Sequence, residues 1–260
     1  MNIVVNGALG QMGQEVIKLC KSGYRGAKYF GGVDPRLQKS DTGARIYRTL
    51  DEIEDTAEID CIIDFSNHSS VGLITSFARK KGISAVICTT GHTDSELAEI
   101  KRLSNSVAVF VSANMSLGVA LLVELAKTAA LAMPEAEIEI IEKHHSRKID
   151  SPSGTALMLA HAICDVRPNS YTNLGRSGQG VRTPDEIGIH AVRMGNSVGE
   201  HEVIIGTQSQ TITLKHEAHN RSLFAEGAIS AAEFIVGREA GLYGMKSLVS
   251  GEMCEKNIDF

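Results

Sequence analysis

The stretch M-N-I-V-V-N-G-A-L-G-Q-M-G, residues 1–13, decides the fold class of this chain. Residues 1–6 form a short apolar run of the kind that fills a buried β-strand. The residues after Gly13 place apolar side chains at helical spacing as far as Cys20. A strand, a glycine-bearing turn and a helix, in this order, open a doubly wound α/β sheet. We therefore expect a Rossmann-type parallel sheet at this end of the chain.

Three glycines in this turn, Gly7, Gly10 and Gly13, follow the spacing G-x-x-G-x-x-G. This is a variant of the dinucleotide-binding pattern G-x-G-x-x-G. Without a side chain, Gly10 would let the backbone approach a pyrophosphate, and Gly13 would let the helix pack closely on the sheet. The pattern indicates a nucleotide cofactor when the following elements continue the same fold.

An acidic residue stands where a dinucleotide-binding unit needs one. A second strand is expected at residues 28–33, and Asp34 follows it about 20 residues after the last glycine. Its carboxylate would accept hydrogen bonds from the adenosine ribose hydroxyls, and an ordinary acid in an Asp-Pro turn is the alternative. Arg36 and Lys39 lie just beyond and could instead meet a 2′-phosphate. The residues therefore leave NADH and NADPH both open.

Strands and helices then alternate, which predicts a parallel sheet with its sites at the carboxyl ends of the strands. The expected strands are residues 60–65, 84–88 and 107–111, and the expected helices are residues 71–81 and 95–103. Polar loops follow each strand, as suits the walls of a nicotinamide ribose site. Cys88 at one strand end could be a nucleophile. Because it ends an apolar run, a small buried side chain is the simpler interpretation.

A second organising stretch is E-I-I-E-K-H-H-S-R-K-I-D-S-P-S-G-T-A, residues 139–156, between an expected strand and an expected helix. Ser153 is a natural N-cap, so Gly154 and Thr155 fall in the first turn, where backbone N–H groups attract anions. With the basic side chains before it, this helix start predicts a pocket for a small molecule with more than one carboxylate. A neighbouring imidazole, from His144 or His145, could move protons near neutral pH.

Two alternatives remain for this stretch. It could be a polar loop followed by an ordinary helix cap. It could also bind a metal, but adjacent histidines on a strand point to opposite faces, and no cysteine or histidine stands at a structural zinc spacing. We therefore expect no metal.

The second half of the chain has a different pattern. After a loop at 169–185, strand-like segments at 187–194, 200–207 and 211–216 predict an antiparallel or mixed sheet. A last helix at 223–236 would return the chain to the first domain. We expect a dinucleotide-binding domain of residues 1–116 and 222–260, and a substrate-binding and oligomerisation α+β domain of residues 117–221. Arg221 at this junction is a carboxylate partner or a surface residue.

Composition excludes several classes of protein. The chain has 260 residues, with 26 basic and 31 acidic side chains and a net charge of −5. It lacks the basic excess that nucleic acid or an anionic membrane surface would require. Five scattered cysteines without a C-x-x-C pair fit a reducing compartment. The longest apolar stretch, residues 117–133, is interrupted by Glu124 and Lys127, so no membrane span is expected. These features predict a cytoplasmic protein.

The motifs together resemble one family. G-A-L-G-Q-M-G, D-F-S, T-T-G, A-N-M-S, the stretch E-K-H-H-S-R-K-I-D-S-P-S-G-T-A and the later G-I-H-A-V-R-M-G-N-S-V-G-E-H are similar to 4-hydroxy-tetrahydrodipicolinate reductases, long called dihydrodipicolinate reductases. The similarity covers nearly the whole chain. It implies reduction of a cyclic dicarboxylate imine to tetrahydrodipicolinate by NADH or NADPH, in lysine and diaminopimelate biosynthesis. It also implies a homotetramer built through the sheet of the second domain and a closing motion between the domains.

The resemblance also assigns roles to residues. It implies that His144 is the catalytic acid/base and Lys148 the proton donor, with His145, Gly154 and Thr155 on the substrate carboxylates. The implied cofactor-binding residues are Gly7, Ala8, Leu9, Gly10, Gln11 and Met12, then Asp34, then Cys88, Thr89 and Thr90, and finally Ser112, Ala113, Asn114 and Met115.

Two departures and two rival functions accompany this resemblance. Family members usually have glycine at the position of Cys88, and Pro35 separates Asp34 from Arg36, where NADP-preferring members often place arginine directly after the acid. One rival is another amino-acid dehydrogenase, such as an aspartate-semialdehyde dehydrogenase that uses a cysteine nucleophile. The other is a non-catalytic NAD(P)H sensor, which would leave the His-His-x-x-Lys motif unexplained.

Overall fold

The computed structural model describes residues 1–38, 45–54 and 56–251. The chain divides into two compact units. One comprises Met1–Leu117 with the described residues from Ser222 onward, and the other comprises Gly118–Arg221.

Twelve strands and seven α-helices make up these units in the described ranges. The strands are β1 Asn2–Asn6, β2 Lys28–Val33, β3 Ile46–Tyr47, β4 Cys61–Asp64, β5 Ser84–Ile87, β6 Ala108–Val111, β7 Glu137–His144, β8 Tyr171–Asn173, β9 Glu186–Arg193, β10 Gly199–Gly206, β11 Thr211–Ala218 and β12 Gly241–Tyr243. The helices are α1 Gln11–Lys21, α2 Val71–Lys81, α3 Asp94–Leu103, α4 Leu117–Ala132, α5 Gly154–Val166, α6 Ser222–Ile235 and α7 Met245–Ser250. Single-turn 3-10 helices lie at Tyr24–Gly26, Leu50–Glu52 and His68–Ser70.

The first unit is a seven-stranded parallel sheet in the order β12-β6-β5-β4-β1-β2-β3. Both faces are buried because successive side chains of β1 enter different cores. Ile3 and Val5 pack with α1 and α6, while Val4 packs with α2 and α3. Helices on both faces confirm the predicted doubly wound Rossmann-type fold.

The glycine turn lies where the strand order reverses. The chain runs from β1 outward to β2, and then returns to the other side of β1 with β4. At such a switch point the loops on the two sides diverge and leave a crevice outside the carboxyl ends of the strands. The turn from Gly7 to Gly10 therefore occupies the place where α/β sheets bind ligands.

The second unit is a mixed five-stranded sheet in the order β11-β10-β7-β9-β8. Strand β7 pairs antiparallel with β10 and parallel with β9, and β10 pairs antiparallel with β11. This confirms the mixed arrangement that the sequence allowed. The short turn between β9 and β10 does not form a hairpin, because β7 lies between these two strands. The local turn signal could not show this.

Alternate residues of the second sheet pack against α4 and α5. Ile138 and Ile140 of β7, with Ile189 and Val203 on its neighbours, form one core with Leu159 of α5. Each such buried side chain contributes about 1.5–3 kcal/mol. The same face of β7 continues with Glu142 and His144, both buried. Two polar groups therefore follow two isoleucines on the inner face.

The join between α4 and α5 is held by one guanidinium. Arg167, directly after α5, donates to the backbone carbonyls of Ala130, Met133 and Ala136. Two of these carbonyls belong to the last turn of α4 and the residue after it, where intrahelical donors run out. The side chain thus replaces the missing donors.

The predicted elements agree with the structure to within one or two residues, except for the shortest ones. Strands β3, β8 and β12 have two or three residues, and α7 has six, so none shows a readable periodicity. In the described ranges no helix combines the length and apolar character needed to cross a membrane.

Candidate functional site

The turn after β1 has the close backbone contacts of a phosphate-binding cradle. Gly7 has φ +82°, and a Cβ on it would lie 2.5 Å from the Phe65 carbonyl oxygen. A Cβ on Gly13 would overlap the Gly7 carbonyl oxygen. Helix α1 begins after Gly10, and since glycine has no side chain, the N-cap residue gives the helix no side-chain hydrogen bond. The helix therefore starts with bare backbone N–H groups, which suit the pyrophosphate of a dinucleotide.

Asp34 lies beside this turn and is already engaged. Its Oδ2 accepts the Leu9 N–H at 3.0 Å. The Arg36 guanidinium binds both oxygens, with Nε–Oδ1 at 2.9 Å and Nη2–Oδ2 at 2.8 Å. The hydrogen bonds from Arg36 hold the pKa of this buried carboxyl below its usual value, against the effect of burial. The sequence offered Asp34 and Arg36 as alternatives, and the structure joins them. Lys39 lies outside the described residues.

A buried carboxylate, Asp64, connects three strand ends next to the cradle. Its Oδ1 accepts from Asn6 Nδ2 at 2.8 Å and from Ser66 Oγ at 2.5 Å, and its Oδ2 accepts from Thr89 Oγ1 at 2.7 Å. Burial raises the pKa of Asp64 despite these hydrogen bonds. The network ties the carboxyl ends of β1 and β4 to the residues that follow β4 and β5.

The predicted loop at Cys88, Thr89 and Thr90 directly follows β5 and lines a pocket with residues 65–68. The Cys88 side chain is buried, and burial raises the pKa of its thiol well above the usual value. A nucleophilic cysteine requires a thiolate, so the structure gives no support to the aldehyde-dehydrogenase alternative. Cys88 is a small apolar wall of this pocket.

The predicted loop from Ser112 to Met115 is held by its own side chains. Ser112 Oγ donates to the Asn114 carbonyl at 2.8 Å, and Asn114 Oδ1 accepts the N–H of Ser116 at 2.9 Å. Gly227 on α6 lies so close that a Cβ would overlap the Met115 carbonyl oxygen. The loop backbone is therefore fixed in one position at the end of β6.

In the second unit, Glu142 is fully buried and organises the predicted catalytic stretch. Its Oε2 accepts from His144 Nδ1 at 2.6 Å and from Arg193 Nη1 at 2.8 Å. Its Oε1 accepts from Arg193 Nη2 at 2.7 Å and from the Ser153 N–H at 2.9 Å. Burial alone would raise the pKa of Glu142, but these hydrogen bonds hold it below the usual value. The group is therefore a carboxylate that accepts four hydrogen bonds.

The His144 ring is enclosed on further sides. The His201 ring from β10 meets it edge to face, with centroids 5.2 Å apart and an interplanar angle of 72°. A Cβ on Gly199 would lie 3.0 Å from His144 Nε2. Burial lowers the pKa of His201 to about 4, so this neighbour is neutral at physiological pH.

The other predicted side chains lie in the turn after β7. His145 is partly desolvated and lies in the field of Arg147, Arg221 and His144, which together lower its pKa. Lys148 Nζ forms an ion pair with Asp150 Oδ1 at 2.8 Å. Arg221 thus contributes to the positive field at His145, and whether it binds a carboxylate stays a prediction. This basic cluster is electropositive and suits carboxylates.

Helix α5 begins as the sequence predicts. Ser153 caps it by accepting the Ala156 N–H at 3.2 Å, and Ser153 Oγ also contacts His201 Nε2 at 3.0 Å. The space in front of Gly154 is open, with no atom within 4 Å of an added Cβ. A carboxylate could therefore reach the first-turn backbone here. Among the described residues no group of three or more His, Cys, Asp or Glu side chains is arranged to hold a metal ion.

Sequence reasoning missed the roles of Glu142, Arg193 and His201. A signal for two of them was present, because strand periodicity puts Glu142 and His144 on the face of Ile140, and His201 on the face of Val203. Polar residues that continue an apolar face must have partners, and such a pattern could have identified them. The pairing of Arg193 with Glu142 depends on β9 lying beside β7, which no local pattern indicates.

The fold and these sites define a class of protein. A doubly wound sheet with a dinucleotide cradle, and a second unit with a buried carboxylate–histidine pair beside cationic side chains, are the parts of a nicotinamide-dependent oxidoreductase. Residues 1–115 match the family profile described as dihydrodipicolinate reductase, N-terminus, and residues 118–249 match dihydrodipicolinate reductase, C-terminus. The chain belongs to the dihydrodipicolinate reductase family.

Relatives and solved structures agree with this membership. The 4-hydroxy-tetrahydrodipicolinate reductase of Caldanaerobacter subterraneus is 41% identical, covering 96% of this chain and 98% of the relative. The enzyme of the same name from Clostridium tetani is 38% identical, covering 96% and 97%. A dihydrodipicolinate reductase structure from Paenisporosarcina sp. is similar with a TM-score of 0.78 at 25% identity, covering 94% of this chain and 97% of that one.

Proposed function

We propose that this chain reduces the cyclic imine formed from 4-hydroxy-tetrahydrodipicolinate to tetrahydrodipicolinate, with NADH or NADPH, in lysine and diaminopimelate biosynthesis. The observation that carries the proposal is the match of both halves to one reductase family, with relatives of that name about as long as this chain. His144 and Lys148 would be the acid–base groups that such a reduction needs.

The proposed catalytic residues are His144 and Lys148. Reduction of a conjugated imine builds negative charge on the acceptor, so a proton donor and nearby cations lower the transition state. His144 would act as the acid/base at Nε2, and Lys148 would donate a proton from its ammonium group. In the structure Lys148 is paired with Asp150, a partner that it would exchange for substrate.

The proposed substrate-binding residues are His145, Gly154 and Thr155. The backbone N–H groups at the start of α5 would donate hydrogen bonds to one carboxylate, and His145 within the basic cluster would bind the other. The Paenisporosarcina structure is described as dipicolinate-bound. We propose that this chain binds dipicolinate at the same groups, which makes dipicolinate a convenient probe.

The cofactor would be held by the first unit. We assign the pyrophosphate to the turn from Gly7 to Met12, the adenosine ribose to Asp34, and the nicotinamide end to the loops at Cys88–Thr90 and Ser112–Met115. The glycine turn fits this assignment because Gly7 and Gly13 allow a close backbone approach in which an added Cβ would overlap a neighbouring carbonyl. When bound, the nicotinamide supplies the hydride.

Assembly and location complete the proposal. The second unit would form a homotetramer through the sheet face turned away from α4 and α5, where the partly buried Ile141, Val192 and Ile204 alternate with charged residues. We place the enzyme in the cytoplasm, in keeping with its scattered cysteines. Light scattering should give a mass four times that of the 27.9 kDa chain. The mass of a monomer would contradict the proposed homotetramer but would not contradict the proposed activity.

The test of the function is oxidation of NADH and NADPH, followed by loss of absorbance, with substrate made in situ from aspartate semialdehyde and pyruvate by the preceding synthase. We expect turnover with at least one cofactor. A folded chain that binds nucleotide and is inactive with both cofactors would overturn the proposal.

A second experiment tests the assignment of Lys148. The change Lys148→Ala should lower kcat about 10²-fold or more, because a proton donor of this kind contributes 10²–10⁴-fold. Affinity for NADH should stay unchanged, since Lys148 belongs to the other unit. The matched control is Lys143→Ala, whose ammonium pairs with Glu200. Unaltered kcat in Lys148→Ala would remove this assignment.

A further inference from the structure

The Glu142 carboxylate has no role among the assigned residues, yet it is the most completely buried acid of the stretch 139–156. It is 0% exposed in the middle of the inner face of β7. Taking a carboxylate out of water costs several kcal/mol unless partners compensate. Here four donors surround it, and they come from a guanidinium, an imidazole and the backbone at the start of α5.

These contacts determine the protonation of the imidazole. An ionised carboxylate can only accept hydrogen bonds, so His144 Nδ1, at 2.6 Å from Glu142 Oε2, must carry the hydrogen. In the neutral ring the second nitrogen, Nε2, is then the one that accepts a proton. Arg193 binds both carboxylate oxygens and keeps the acid ionised.

We propose that Glu142 is the positioning residue of the catalytic His144, which it holds in the Nδ1–H tautomer so that proton transfer takes place at Nε2. This inference rests on the proposed function and deepens it. In the proton balance, His144 Nε2 takes up a proton or releases one, while the Nδ1–H stays on His144 and remains hydrogen-bonded to Glu142 throughout. His201 and the Gly199 backbone restrict the ring on its other sides.

The same carboxylate positions the substrate end of the site. Glu142 Oε1 accepts the Ser153 N–H, one residue before the helix turn that is assigned to a substrate carboxylate. One anion therefore fixes both the acid/base group and the start of α5. Loss of either oxygen contact would change the distance between them, and rates are sensitive to such displacements.

The competing interpretation is that Glu142 and Arg193 form a structural ion pair only. Strand β7 contains a matched case for comparison. Glu139, on the opposite face, also has one histidine and one arginine as partners, with His190 Nε2 at 2.8 Å and Arg182 Nε at 3.3 Å. Because the Glu139 side chain is 28% exposed and that of Glu142 is buried, a purely structural role predicts a larger loss of stability in Glu142→Gln than in Glu139→Gln, with kcat near wild type in both variants.

The first experiment compares kcat and KM of Glu142→Gln, Glu139→Gln and the wild type. In Glu142→Gln the amide oxygen would keep the N–H of Ser153, and the NH2 group would face both His144 Nδ1 and Arg193 Nη1. Arg193 can only donate, so the imidazole is the group that can accept from this NH2, and it does so as the Nε2–H tautomer. We expect kcat to fall about 10²- to 10⁴-fold, as for a general base held in the wrong tautomer. KM and the affinity for dipicolinate should change less than threefold, and Glu139→Gln should stay within twofold of wild type.

The second experiment reads the tautomer directly. Nitrogen-15 NMR of protein labelled at its nine histidines, with His144→Gln to assign the signal, distinguishes Nδ1–H from Nε2–H at a pH where the ring is neutral. We expect Nδ1–H in the wild type and Nε2–H in Glu142→Gln. If Glu142→Gln did not fold, the wild-type tautomer alone would decide, and an Nε2–H ring would overturn the proposal.

The outcomes separate this inference from the function on which it rests. No turnover by the wild type removes the reductase, whereas normal kcat in His144→Gln removes only the assignment of that histidine. If wild type is active, His144→Gln is impaired, and Glu142→Gln has a kcat like that of Glu139→Gln, the positioning role is wrong and Glu142 is structural.

Discussion

In each unit an arginine donates hydrogen bonds to both oxygens of a carboxylate, Arg36 to Asp34 and Arg193 to Glu142, and the two pairs differ in exposure. The Asp34 and Glu142 side chains are both buried, at 2% and 0% exposed. The Arg36 side chain is 66% exposed, whereas that of Arg193 is 18% exposed. Arg36 therefore reaches its acid from solvent, and Arg193 closes over its acid within the protein.

The difference indicates what each pair can do. Water solvates the guanidinium of Arg36 when it leaves Asp34, and the buried carboxylate keeps the backbone N–H groups of Leu9 and Arg36 as donors, so a cofactor can rearrange this pair. The guanidinium of Arg193 cannot leave Glu142 without stranding a buried charge. We call Asp34–Arg36 the open pair and Glu142–Arg193 the closed pair. The open pair suits ligand selection, and the closed pair suits the fixed orientation of His144.

The largest expected effect comes from opening the closed pair. Arg193→Met should lower the free energy of unfolding by about 3 kcal/mol, because it leaves the buried Glu142 carboxylate without its cation. This value is at the lower end of the usual range because the Arg193 side chain is partly hydrated, at 18% exposed. Urea unfolding of wild type and variant measures this. Arg36→Met is the control and should change stability little. A similar loss in both variants would end the contrast between the pairs.

Cofactor choice tests the open pair. Arg36→Ala should lower the ratio of kcat/KM for NADPH to that for NADH about tenfold, the effect of roughly 1.4 kcal/mol, since it removes the cation available to a 2′-phosphate. Parallel assays with the two cofactors give the ratio. An unchanged ratio would mean that Arg36 stays on Asp34 in the complex.

Acid should weaken the closed pair. The pKa of Glu142 is below its unfolded-state value, so its contribution to stability is present above about pH 4.3 and is lost as pH falls through the folded-state pKa. Wild type should exceed Glu142→Gln in unfolding free energy by about 2 kcal/mol at neutral pH. The difference should shrink towards pH 3. A pH-independent difference would show that Glu142 is protonated in the fold.

The smallest effect is expected for an ion pair in which both side chains are exposed. Arg25 and Glu233 form an ion pair at 2.7 Å with both side chains nearly half exposed. Arg25→Ala should change the unfolding free energy by at most about 0.5 kcal/mol, as for most surface ion pairs. Thermal or urea unfolding would detect a larger change, which would mean that exposure is a poor guide to the strength of these pairs.

Local pattern was enough to predict most of the fold. Strand β2 and helix α2 have the predicted bounds, because their apolar periodicity and flanking turns are strong. The N-cap at Ser153 followed from the residue type alone. The positions of β7 between β9 and β10, and of β12 beside β6, depend on pairings between distant segments, which a local pattern does not contain.

The candidate site was predictable to a similar depth. The residues of the His-His block were identifiable because they are chemically unusual and close in sequence. The partners Arg193 and His201 lie 49 and 57 positions from His144 and meet it only through strand pairing. For Asp34 the difficulty is different. Its partner Arg36 lies two residues away in the sequence, but the sequence does not show that the guanidinium binds both carboxylate oxygens.

The order of segments along the chain has a consequence for synthesis on the ribosome. Strand β12 pairs with β6, and α6 supplies much of the core that covers one face of the first sheet, including Ala228 and Ile229. More than 100 residues separate β6 from these elements. A nascent chain therefore exposes an apolar sheet face and an unpaired strand edge until α6 and β12 emerge, and before that a chaperone has the most to protect.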